Sequence, residues 1–153
     1  MIRQTPTPTA APSVMQETAP MPMVSVAEIS TTPSTPKPWG HELIFATGEH
    51  GYVGKLIMVV RGQALSLQLH EAKDETIAIV SGEAIVEHGP STELLIRRTM
   101  VAGEAIHLPP GVLHRITAVT DVTFVEASTA APGWREDVVR LADRYGRSGT
   151  SAP

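Results

Sequence analysis

The sequence contains no cysteine. That excludes disulfide staples, thiol nucleophiles and Cys-ligated zinc or iron–sulfur centres. Aromatic residues are only 4% of the chain, so the core has to be assembled from Val, Ile, Leu and Ala within the 42% that is hydrophobic. Charge is sparse as well: 18% of residues are charged, with a formal net charge of −4 and a pI of about 5.8. An acidic balance without basic clusters argues against nucleic-acid or anionic-membrane binding, and neither is expected as a partner. No apolar run approaches the ~20 residues of a membrane span. Arg3 is the only positive charge before Lys37, and Pro6, Pro8 and Pro12 break the stretch after it. A secretory signal needs an unbroken apolar segment, so a cytoplasmic protein is the expectation.

What is present falls into unequal parts, and the 153 residues suit one ordinary domain. Residues 1–36 hold seven of the 13 prolines, seven threonines and only three charges, Arg3, Glu17 and Glu28. Such a segment buries too little apolar surface to offset its ordering entropy and reads as a flexible arm. Within it, Met23–Ile29 alternates like a short strand and could pair with a sheet edge. From residue 37 to 147 the texture is that of a single β domain, and 148–153 read as a flexible tail. Strand candidates are Val53–Val60, Ala64–His70, Thr76–Val80, Ala84–His88, Glu93–Arg97, Glu104–Leu108, Arg115–Val119 and Val122–Ala127. Turn signals such as Arg61-Gly62, Ser81-Gly82 and Pro109-Pro110-Gly111 separate them, which predicts an antiparallel sandwich or barrel. Glu136–Tyr145 has acids in its first turn and a Glu136–Arg140 pair at i,i+4, and predicts one short helix against the barrel.

The chemistry concentrates in two places. In the strand ending at His70, Ser66, Gln68 and His70 share one face, because alternate side chains point the same way. A tight turn over Glu71–Asp74 then delivers Glu75 at the head of the next strand. About thirty residues on, Pro109-Pro110-Gly111 sets up another strand entrance with His114 at its head. If these strands are neighbours, Gln68, His70, Glu75 and His114 converge. Two imidazoles, a carboxylate and an amide oxygen suit one divalent ion, zinc first, with iron, manganese, cobalt or nickel also fitting. His41, His50 and His88 lack such context and read as surface residues. His107 reads as an ordinary strand residue.

Gly62-x5-Gln68-x-His70-x4-Glu75-x6-Gly82 resembles the first cupin motif, with Gln68 where many cupins have a first His. Gly103-x5-Pro109-x-Gly111-x2-His114 resembles the second, with Ala118 where an Asn is usual. The resemblance implies an all-β fold, a cupin double-stranded β-helix (jelly-roll-like) barrel, carrying the short carboxy-terminal helix read above. It also implies a metal inside and a homodimer. Lys37-Pro-Trp-Gly40, Leu65–His70, Val80-Ser-Gly82, Gly111–Arg115 and Glu136–Arg147 are similar to the type II phosphomannose isomerase domain. That domain normally forms the carboxy-terminal part of a bifunctional mannose-1-phosphate guanylyltransferase and mannose-6-phosphate isomerase. No guanylyltransferase part is legible, so nucleotide-sugar synthesis is not expected of this sequence. Where the family has a His-rich stretch ending in Arg, this chain has Glu71-Ala72-Lys73; the family's His and Trp after the metal Glu are Thr76 and Ile77.

The resemblance implies a metal-dependent isomerase acting on a sugar phosphate or similar carbonyl/polyol substrate through an enediolate. Lys73 and Arg115 are the catalytic candidates, for phosphate binding or proton transfer. Lys73 lacks the bidentate fork of an arginine, which puts mannose 6-phosphate itself in question. Two other functions share the motifs: a metal cupin of secondary metabolism (dioxygenase, lyase, cyclase or rearrangement enzyme), and a non-catalytic sugar-binding module.

Overall fold

A computed structural model describes residues 29–150. The alternating segment Met23–Ile29 lies, but for its last residue, outside the described residues. Eleven strands run β1 (Ser34–Lys37), β2 (Gly40–Thr47), β3 (Tyr52–Val59), β4 (Leu67–Leu69), β5 (Glu75–Ser81), β6 (Glu83–Gly89), β7 (Ile96–Val101), β8 (Ala105–Leu108), β9 (Leu113–Ala118), β10 (Val122–Thr129) and β11 (Val139–Ala142). They form a six-stranded sheet, ordered β1-β2-β3-β10-β5-β8, and a five-stranded sheet, ordered β11-β4-β9-β6-β7. Every pairing is antiparallel. The expected all-β barrel is what the chain forms.

Three differences from the sequence expectation have local causes. The strand expected at Glu93–Arg97 starts later: Thr92–Leu94 forms a single 3₁₀ turn and β7 begins at Ile96. β1 and β2 were not expected as strands. In β2 the register shifts between Ile44 and Ala46, which breaks the two-residue period that would have betrayed it. β1 reaches back to Ser34, into the segment read as the arm, and carries Pro36. Among the described residues β1 pairs only with β2, and there the missing N–H of Pro36 faces no partner strand.

The expected helix over Glu136–Tyr145 is not formed; the described residues contain no α-helix. Residues 139–142 instead make β11, which pairs with β4. The acids that suggested a helix start are used elsewhere. The Asp137 carboxylate accepts from the backbone N–H groups of Glu71, Ala72 and Lys73 at 2.7–3.1 Å. Arg140 donates to the Thr150 carbonyl at 2.8 Å, which ties down the first residues of the expected tail. Further on, Tyr145 Oη donates to Gln63 Oε1 at 2.7 Å. An exposed sheet edge with unpaired backbone groups outcompetes a marginal ten-residue helix.

The inward faces divide lengthwise. Val122 and Phe124 of β10, Ile77 and Ile79 of β5, and Ile116 and Ala118 of β9 pack with Trp39, Ile57, Val59, Val86 and Leu108 into the apolar half. Continuing along the same faces, Glu126, Glu75 and His114 make the other half polar, and all three are buried. Gly82, at the end of the first motif, has φ +83, and a Cβ there would collide with the Asp121 carbonyl; only glycine closes this turn.

Candidate metal centre

Three elements deliver the ligands. β4 carries Gln68 and runs into His70, the Asp137-capped turn over residues 71–73 reverses the chain, and β5 opens with Glu75. β9 lies beside β4 with Gln68 directly opposite His114. The Gly111 N–H donates to the His70 carbonyl at 2.7 Å, which fastens the Pro-Pro-Gly turn of the second motif to the end of the first.

His70, Glu75 and His114 offer ligand atoms that all lie within 4.8 Å of one another, and all three residues are buried. The imidazoles are oriented from behind. His70 Nδ1 donates to the Asp137 carbonyl, and His114 Nδ1 donates to the Val112 carbonyl at 3.0 Å. A carbonyl can only accept, so each ring carries its proton on Nδ1 and turns the Nε2 lone pair toward the centre. His114 Nε2 stands 3.0 Å from Glu75 Oε1. His70 Nε2 and Glu75 Oε1 are buried without a hydrogen-bond partner. Lone pairs facing one another in a buried site need a positive charge between them: an imidazolium proton, or a cation that leaves both rings neutral. This donor set fits a divalent metal.

Gln68 lines the cavity beside this group, and its Oε1 accepts from Ser66 Oγ at 2.6 Å. The parity expected for Ser66, Gln68 and His70 holds, since all three line the same cavity.

The two cations expected to be catalytic part company. Lys73 is 3% exposed, inside the barrel, with Nζ 2.6 Å from Glu75 Oε2 and 2.9 Å from Glu126 Oε1. Arg115, next to His114, points to the opposite face and donates to Glu87 Oε2 at 2.6 Å on the outside of the five-stranded sheet. The structure does not bring Arg115, expected as a catalytic residue, to the centre. His107 is exposed against Asp74, and His41 and His50 are exposed too. His88 is half-buried rather than on the surface and stands opposite His114. Thr76 is exposed and Ile77 belongs to the apolar core, whereas Lys73 lines the cavity.

The sequence reading missed Glu126, Lys55, Asp137 and Arg140. Lys55 Nζ sits 3.1 Å from Glu126 and Ser128 Oγ donates to Glu126 at 3.0 Å, so a chain of charges runs Lys55–Glu126–Lys73–Glu75 toward the imidazoles. Parity could have revealed the first two: Glu126 alternates with Val122 and Phe124, and Lys55 with Val53, Ile57 and Val59. A lone charge on an otherwise apolar face is the signal. Burial favours discharging Lys73, but Glu126 and Glu75 outweigh it, and its pKa is raised. Burial likewise opposes a charged Glu75; contact with His114 and the Lys73 charge prevail and hold the carboxyl well below the usual range. For Glu126, burial is again outweighed, chiefly by Lys55 and Lys73. Burial, aided by Lys73, pushes the His70 imidazole pKa down.

A cavity of about 490 Å³ adjoins this group at His70. Its wall includes Lys37, Arg135, Arg140 and Arg147 as well as His70 and Gln68. Arg140 stands opposite Gln68 across β11 and β4; it is buried, and its Nε–H has no acceptor among the described residues.

Two sheets of this topology, with two His and a Glu gathered at the polar end of the interior, define a cupin. Its fold is shared by the oxalate decarboxylase of Bacillus subtilis, with a TM-score of 0.64 at 15% identity over 78% of this chain and 34% of that one. The chain belongs to the family described as mannose-6-phosphate isomerase C-terminal, which matches residues 26–143. Among curated relatives, the xanthan biosynthesis protein XanB of Xanthomonas campestris is 32% identical over 114 residues, covering 73% of this chain and 23% of XanB. A mannose-1-phosphate guanylyltransferase of Escherichia coli is 32% identical over 113 residues, covering 72% of this chain and 22% of the relative. The chain thus spans less than a quarter of the length of either relative.

Proposed function

We propose that the chain is a metal-dependent cupin enzyme that isomerises a sugar phosphate or a similar anionic carbonyl/polyol substrate. The observation that carries this reading is an oriented His-His-Glu group with His70 in the wall of a cavity that also holds an arginine without an acidic partner among the described residues. His70, Glu75 and His114 would hold a divalent ion, with Gln68 beside them; zinc suits the donors best, and iron, manganese, cobalt and nickel are the alternatives. Such an ion supplies Lewis acidity, polarising a carbonyl so that a proton on the adjacent carbon becomes easier to remove.

The protein's own groups do the rest. Arg140 donates its orphaned Nε–H to an anionic group, and Arg147, which already bonds Asp143 (2.9 Å), stands in the same wall. An arginine buried without an acidic partner gains most from an anion that satisfies it. Lys73, expected to bind phosphate or move a proton, is engaged by two carboxylates, Glu75 and Glu126. The test is to load the purified chain with Zn²⁺ and follow mannose 6-phosphate and fructose 6-phosphate by proton NMR. Interconversion, or binding of either phosphosugar that Arg140→Ala weakens by about tenfold or more, supports the reading. Binding of neither, together with dioxygen uptake by an iron-loaded chain, would replace it with an oxygenase.

A further inference from the structure

The ammonium of Lys73 sits against a carboxylate that the reading above gives to a metal. A cation there competes with the ion unless it has a purpose and a counter-charge of its own. Both are visible. Lys73 is fixed at each end: its backbone N–H donates to Asp137 at 2.7 Å, and its Nζ contacts Glu126 Oε1 at 2.9 Å. Glu126 is itself held by Lys55 and Ser128, so the ammonium cannot swing away. Glu75 is thereby divided. Its Oε2 lies 2.6 Å from Lys73 and 3.7 Å from His70 Nε2, while Oε1 lies 3.0 Å from His114 Nε2 and has no hydrogen-bond partner.

We infer that Lys73 is a positioning residue that restricts Glu75 to one-oxygen ligation: it occupies Oε2 and leaves Oε1 alone to join the two Nε2 atoms. The inference rests on the metal reading. Its consequence is that coordination positions stay open on the cavity side, where a substrate enters. A second consequence follows from charge. The two buried carboxylates, Glu75 and Glu126, are matched by two ammonium groups, Lys55 and Lys73, so the positive charge of an ion is left for an anionic ligand.

The sign of one effect separates this role from a merely structural one. Lys73→Met keeps an unbranched side chain one atom shorter and removes the charge. It should bind Zn²⁺ more tightly, by about tenfold or more, because a competing cation is gone. Difference infrared spectra with isotope-labelled glutamate should show the asymmetric and symmetric carboxylate stretches far apart in the wild type, the pattern of one-oxygen ligation. In Lys73→Met they should move together as Oε2 is released, and Lys73→Arg should retain the wild-type pattern. Circular dichroism checks that each variant folds. If Lys73→Met does not fold, the wild-type spectrum decides alone: a narrow separation there overturns the proposal. So does a folded Lys73→Met that binds Zn²⁺ more weakly or keeps the wide separation. A wild type that takes up no divalent ion by calorimetry would overturn the metal reading itself, a different and separately visible failure.

Discussion

Lys73 and Arg115 each hold a cation 2.6 Å from a carboxylate oxygen, yet the two pairs do different work. Lys73–Glu75 lies inside the barrel, with side chains 3% and 2% exposed; Arg115–Glu87 lies on its outer face, at 27% and 19%. Water screens the outer pair and competes for its hydrogen bonds, so its net worth is small. Inside, neither partner can be satisfied by solvent, and removing one strands the other. Equal distances therefore carry unequal consequences. The difference was set by one residue step: His114 points in, and Arg115, next along β9, points out.

The largest effect expected from breaking this contrast is on metal content. His70→Ala and His114→Ala should each lose a stoichiometric divalent ion by elemental analysis while keeping the β-sheet circular dichroism of the parent. Arg115→Ala, one residue from His114, should keep its metal in full. Retention in both histidine variants would remove the centre from the protein.

Next in size is stability without metal. Glu126→Ala leaves Lys55 and Lys73 without their shared carboxylate and should cost about 3–5 kcal/mol in urea unfolding. Glu87→Ala on the outer face should cost no more than about 1 kcal/mol. Similar losses at the two sites would show that burial does not separate the pairs.

Asp137 sharpens the comparison from behind the ligands. It caps the turn over residues 71–73 and accepts from His70 through its backbone carbonyl. Asp137→Ala keeps the carbonyl and loses the cap, so the turn that sets His70 and Glu75 against each other loosens. Metal affinity should fall by about 10–100-fold, as for other residues that support ligands. An unchanged dissociation constant would assign Asp137 to folding alone.

The smallest effect concerns pH. Contact with Arg115 lowers the Glu87 pKa, outweighing the burial that opposes it. A carboxyl depressed in the folded state contributes stability above its unfolded pKa, and that contribution is lost as pH falls through the folded value. Glu87→Gln should therefore flatten the decline in melting temperature just below the ordinary carboxylate range, and leave neutral pH nearly unaffected. A steeper decline in the variant would reverse the sign and defeat the argument.

Much of the centre was legible before the fold. Gln68 and His70 share strand parity, Glu75 follows a four-residue turn, and Pro109-Pro110-Gly111 announces the strand that begins beside His114. The outward face of Arg115 was legible too, since parity that turns His114 inward turns its neighbour out. Glu126 and Lys55 were within reach as single charges on apolar faces, although nothing local said that they would meet. Arg140 was out of reach, because Glu136–Tyr145 carries a helical pattern that the fold overrides.

The sequence by itself determined where strands turn and which side chains share a face, because glycine, proline and a two-residue period act over a few bonds. Tertiary structure decided which faces confront each other. The edge of β4 recruited residues 139–142 as a strand, because unpaired backbone groups there were worth more than a short helix. Enclosure then turned Lys73 from a phosphate-facing cation into a buried partner of Glu75 and Glu126. Strand pairing across the barrel joins residues such as Lys55 and Glu126, 71 positions apart, and no local rule reaches that far.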